Sequence, residues 1–174
     1  MQRIILITIA CFFWSLALAQ PHSTAIKQRG LDMARALLRS DFEGYVSYLH
    51  PKLRSNPADQ QQMRQGIDSA EKYRKQLGIK ISKVLIGNPV PVQTYKTVLQ
   101  SALVQTTTIE SLMGSIVTEN VLVALSEDGG RTWYFAEGTL YEKLQKEKGL
   151  PPLSPDLQLP PVKPPVVKPA AVPK

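Results

Sequence analysis

At Ile79 the spacing of apolar residues changes from about 3.6 to about 2, and β-branched residues take over. No other feature constrains the fold as much, because a chain cannot keep one side of a helix and one side of a strand buried with the same pattern. Ahead of the switch, Ile26, Leu31, Ala34, Leu37 and Leu38 recur at helical spacing from Thr24 onward. Behind it, four strands are expected, at about 79 to 86, 94 to 109, 114 to 126 and 132 to 142. Helices first and an antiparallel meander afterwards make an α+β plan. The second and third strands are long, and long neighbouring strands curve around a helix, so the expected sheet is four-stranded and concave.

Two further helices are predicted within the first half. Ser40 and Glu43 form a capping-box pattern ahead of Phe42, Tyr45, Val46 and Leu49, and His50-Pro51 ends that helix because the residue before proline is pushed out of the helical region. The next opens on Asn56, Pro57 and Asp59 and closes at Gly78, with Met63, Ile67, Ala70, Tyr73 and Leu77 as its expected buried stripe. In the third strand, Val117, Val121, Val123 and Leu125 fall on one face while Ile116, Leu122 and Ala124 fall on the other, which predicts cover on both sides.

The ends of the chain are of other kinds. Arg3, the apolar run Ile4 to Leu16 and Ala17-Leu18-Ala19 follow the plan of a signal peptide, residues 1 to 19, with small residues placed for cleavage after Ala19. Cleavage would remove Cys11, the one cysteine, and leave a product without disulfides, exported to the periplasm or secreted, with no membrane span. Nine of the 14 prolines lie between Pro151 and Pro173, so residues 151–174 are expected to be a disordered, extended tail. Residues 20–150 are then the domain, long enough for one sizeable core. Of the formal charge of +7, the domain retains 17 basic against 13 acidic residues, without a run of like sign. That mixture reads as a solvated surface and excludes a nucleic-acid face.

The segment ALLRSDFEGYVSYLHPKL, followed by a meander ending in RTWYFAEG, resembles the nuclear transport factor 2-like, cystatin-related cone fold in a secreted bacterial type, over roughly residues 24 to 144. The resemblance implies helices packed on a cone-like sheet. It also implies that an acidic base can sit inside the cone, as in the isomerases and cyclases built on this fold. The carboxylates in position for that role are Glu119 and Glu137, with Glu110 a further strand carboxylate. Their alternation puts Glu137 with Trp133, Phe135 and Tyr141, and Glu119 with Val117, Val121 and Val123.

Residues 126 to 133, SEDGGRTW, resemble a single Asp-box hairpin, in which Ser126 and Asp128 bond free turn amides, Gly129 and Gly130 supply positive φ, and Trp133 packs beside the turn. Histidine chemistry is limited to His22 and His50, and no histidine cluster suggests a metal. His50 is the one histidine placed to serve as a pocket base. Tyr45, Tyr95 and Trp133 are the candidate lining of a binding site. There is no phosphate loop and no nucleophile elbow, and no cofactor is expected.

These patterns predict an exported, non-enzymatic domain that binds a small molecule or associates with itself as a homodimer. Two alternatives are an isomerase- or cyclase-like enzyme using Glu119 or Glu137, and a protein that contacts an envelope polymer or protein through its proline- and lysine-rich tail.

Overall fold

In the computed structural model, residues 22–170 are described. The expected signal peptide and the last four tail residues lie outside them. The chain is α+β, with helices and an open antiparallel sheet of six strands rather than four. The elements in order are α1 (22–38), α2 (Phe42–Ser47), a 3-10 turn (Pro51–Leu53), α3 (Pro57–Gln76), β1 (Lys80–Ile86), β2 (Gln93–Tyr95), β3 (Val98–Ser111), β4 (Gly114–Ser126), β5 (Tyr134–Glu137), α4 (Tyr141–Lys148) and β6 (Val166–Pro169).

The long hairpin β3–β4 is the spine, paired from Leu99 opposite Ser126 to Ser111 opposite Gly114. On the outer side of β3 lie two strands end to end, β2 against Val98 to Gln100 and β1 against Gln105 to Glu110. On the outer side of β4, β5 pairs with Leu122 to Leu125, and β6 with Gly114 to Val117.

Helix α1 covers one face of this sheet. Its buried residues are Ile26, Gly30, Met33, Ala34 and Ala36, with Leu37 half-buried and Leu38 exposed. Gly30 sets the distance, since a Cβ there would lie 3.2 Å from the Ile86 side chain. Leu103, Leu122, Ala124, Trp133 and Phe135 meet the helix from the sheet. Asp41, not Ser40, caps α2 by accepting from Gly44 N at 2.9 Å. Ser40 has φ of 56°, whereas an N-cap needs extended backbone.

Helix α3 is capped as its sequence suggests, with the Asn56 side chain accepting from Ala58 N, but it buries no residue fully. Asp59, Met63, Ile67, Glu71 and Arg74 form the half-buried stripe, and Tyr73 and Leu77 face solvent. Ion pairs hold it: Lys148 Nζ to Asp59 at 2.6 Å, and Arg64 to Glu43.

The opposite face of the sheet is also covered. Val98, Val123, Leu125 and Ala136 pack against Leu53, Tyr141 and Leu150, with Leu144 and Leu153 at the margin. Much of this cover comes from α4, which replaces the expected end of the fourth strand. Gly138 turns the chain there: it donates to Val121 O at 2.8 Å, and a Cβ would lie 2.8 Å from the Val121 side chain.

The proline-rich segment differs from the expected disordered tail over much of its length. Pro151, Ser154 and Leu157 are buried, and Val166–Pro169 is a strand. Prolines lack an amide donor but keep a carbonyl. Tyr141 donates its hydroxyl hydrogen to Pro151 O, and Gln100 Nε2 donates to Pro152 O, both at 2.8 Å. Farther on, Val166, Val167 and Lys168 lie among prolines on a sheet edge, where proline is tolerated.

Candidate functional site

The Asp-box turn is built from its own side chains. Ser126 Oγ donates to Asp128 Oδ1 at 2.8 Å and accepts from Gly130 N at 2.9 Å, while Thr132 N donates to the same Asp128 oxygen at 2.9 Å. These bonds, led by the Thr132 amide, hold the Asp128 carboxyl down to about 2. Gly129 and Gly130 have φ of 73° and 90°. Trp133 is 2% exposed within the core under α1, with His22 edge-on to its ring at 5.9 Å, so its indole forms no wall of a surface site.

His50 is also 2% exposed. Its Nδ1 accepts from Lys52 N at 3.3 Å, capping the 3-10 turn, and its backbone is tied to Phe135. Nε2 lies 3.8 Å from Glu127 Oε1, and Tyr134 stands edge-on to the ring. Burial pushes the imidazole below its ordinary value, and Glu127 opposes this in part. The neutral ring could accept a proton, but its acceptor nitrogen is engaged by the turn it caps.

The carboxylates do not converge. Glu119 accepts from Lys163 N at 3.1 Å, and its other oxygen is 3.7 Å from Lys163 Nζ, so it is covered by the proline-rich segment. Glu137 accepts from Thr139 Oγ1 at 2.9 Å. Glu110 lies 3.2 Å from Lys80 Nζ at the far end of the sheet. Tyr95 is in β2, with Lys96 Nζ 5.8 Å from its ring centroid. Among the described residues no group of three or more His, Cys, Asp or Glu is placed to hold a metal, and no helix is long and apolar enough to cross a membrane.

Several side chains that sequence reasoning passed over do come together. A cleft of about 180 Å³ opens between the end of α1, the last turns of α3 and the start of β1. Leu37, Leu38, Ile79 and Ile81 are its apolar walls, and Arg74, Lys75 and Lys80 its cations. A narrower hollow of about 20 Å³ shares Leu37, Ser40 and Arg74 with it and reaches Tyr45. Burial, and secondarily Glu137, raises the Tyr45 hydroxyl above its ordinary value, so that this wall stays a neutral phenol.

Lys75 Nζ lies 2.7 Å from Glu71, whose carboxyl Arg74 also attracts, and Lys80 pairs with Glu110. Lys75 holds the Glu71 carboxyl below its usual range, which suits an ion partner and not a proton acceptor. Arg74 Nε is buried and has no hydrogen-bond partner among the described residues. Sequence gave one faint signal, an arginine spaced with Met63 and Ile67 on the same helix face.

Comparison with known protein families, curated proteins and solved structures finds no match.

Proposed function

We propose that this chain is an exported, non-enzymatic binding domain on a cone-like scaffold, and that it holds a small amphipathic anion in the cleft at Arg74. The observation that carries the reading is the buried Nε of Arg74, without a hydrogen-bond partner among the described residues, between apolar walls. A buried donor without a partner costs free energy, and a charged one more, so a site of this kind favours an anionic group that completes the bonding. Leu37, Leu38, Ile79 and Ile81 suit an alkyl or aromatic body attached to that group. Glu119, Glu137 and His50 are all engaged elsewhere, which supports binding over acid-base catalysis.

Export rests on the Ile4 to Leu16 run with Ala17 and Ala19, and mass measurement of the mature amino terminus checks it. Binding is tested by titrating the purified protein with decanoate, read by displacement of anilinonaphthalene sulfonate fluorescence. Arg74→Met should weaken decanoate by about tenfold or more, the value of a charge-assisted bond, while leaving neutral decanol unaffected. Equal decanoate affinity in the two proteins would remove the cleft from consideration.

A further inference from the structure

The tip of the central hairpin has a surface the binding cleft does not account for. Ser111 and Gly114 face each other across a two-residue turn whose apex is Leu112-Met113, 88% and 86% exposed. Such turns favour Asn-Gly or Asp-Gly, which are at ease in water. Here the positive φ falls on Gly114, at 132°, where a Cβ would collide with the Lys168 carbonyl. Neither Leu112 nor Met113 has positive φ, and neither packs into a core cluster, so the backbone makes no demand for large apolar side chains there. The apolar surface continues through Ile116 and Val167, which sit opposite each other in adjacent strands and are 41% and 68% exposed.

Lysines line one face of the strands behind this tip, the face opposite Ile116 and Val167. Lys80 is opposite Glu110, Lys83 opposite Thr108, and Lys168 opposite Ser115. Glu110 is the acidic residue among those strand positions, and Lys80 neutralises it at 3.2 Å.

We propose that the β3–β4 tip is a wedge that docks on an anionic lipid surface. Leu112 and Met113 enter the boundary between headgroups and acyl chains, and Lys83 and Lys168 lie at the level of the phosphates. An apolar point with lysines on one face behind it fits this two-part surface, whose affinity sums apolar burial and attraction to anionic headgroups. A second copy of the chain fits less well, because apposing two tips brings the lysines of one toward those of the other. The proposal is independent of the Arg74 cleft and can stand if that reading fails.

The test is sedimentation of the purified full chain with vesicles of phosphatidylcholine alone, or of phosphatidylcholine and phosphatidylglycerol in equal parts. Variants are compared within one chain, so any contribution from residues 1 to 19 is common to all. Because each buried CH₂ is worth about a factor of four, Leu112→Asp with Met113→Asp should lower partitioning onto anionic vesicles at least about tenfold. Lys83→Gln with Lys168→Gln should lower it by a factor of roughly five per lysine at low salt, and by much less once salt screens the surface. The milder pair Leu112→Ser and Met113→Ser guards against a folding defect, and thermal unfolding should be unchanged in both tip variants. Equal binding to the two vesicle types, or full binding by the tip variants, overturns the proposal. So does a tip substitution that turns a dimer into a monomer while the parent shows no vesicle preference.

Discussion

Gln100→Leu should loosen the proline-rich segment from the domain and lower stability by an amount the structure bounds. The side chain is fully buried in β3; Nε2 donates to Pro152 O and Oε1 accepts from Ser154 N, both at 2.8 Å. Leucine has nearly the same volume, so the substitution removes two bonds without opening a large cavity. It leaves a carbonyl and an amide without partners, at about 1–3 kcal/mol each, or about 2–6 kcal/mol together. The segment can escape part of that by moving away into water, but it then gives up the burial of Leu157, about 1.5–3 kcal/mol. The lesser of these two costs sets the outcome, about 1.5–3 kcal/mol. For a chain of this size each kcal/mol moves Tm by about 2–4 °C, so a fall of roughly 3–12 °C is expected. Calorimetry reads the total, and hydrogen exchange at residues 153 to 157 reads the local release. A Tm equal to the parent's, with unchanged exchange there, would show that these bonds contribute nothing to docking.

At the Asp-box, Gly130→Ala should cost about 1–3 kcal/mol, because φ is 90° and the new methyl meets the His22 ring. Gly129→Ala, at φ of 73° with open space around it, should cost about 1–2 kcal/mol, the smaller of the two by urea midpoint; the reverse order would contradict the His22 contact. The buried His50 gives a pH dependence whose sign follows from its lowered value. Above its ordinary 6.5 neither folded nor unfolded chain takes up the proton, but below it the unfolded chain protonates first, so stability falls as the pH is lowered until the folded value is passed. His50→Asn keeps an acceptor for Lys52 N and should flatten that slope in urea midpoints; stability that rises on acidification through this window would refute the assignment.

What sequence could reveal follows the range of the interactions. The change of period at Ile79 lies one residue from the start of β1 at Lys80, because periodicity reports local geometry. The caps of α3 and the bonds of the Asp-box turn also close within a few residues. Docking of the proline-rich segment depends on Gln100, more than 50 residues before Ser154, and nothing near Pro151 announces it. Helix α4 is short and fully buries only Tyr141, so its apolar pattern gave little against a strand reading that ran on from Phe135. The surroundings of Trp133 and of the strand glutamates were hidden for a related reason. Alternation identifies a face, but not whether α1, α4 or the proline-rich segment will lie over it.

The two ends of the central hairpin are consequently doing different things. Near the Asp-box, β4 is enclosed on both faces, with Leu122 and Ala124 under α1 and Val123 and Leu125 under α4 and the chain that follows. Near the β3–β4 turn neither core cluster reaches the apex, and large apolar residues stand in solvent. Lys80 connects the proposed sites there, since it lines the Arg74 cleft and also faces Glu110, two positions before Leu112. A bilayer met by the tip would therefore lie close to the cleft. Substitutions at the apex should change what the protein touches while leaving its unfolding alone, whereas substitutions at the enclosed end, such as Gln100→Leu, should do the reverse. If instead an apex variant unfolded earlier, Leu112 and Met113 would be serving the fold, and their exposure would no longer argue for a partner.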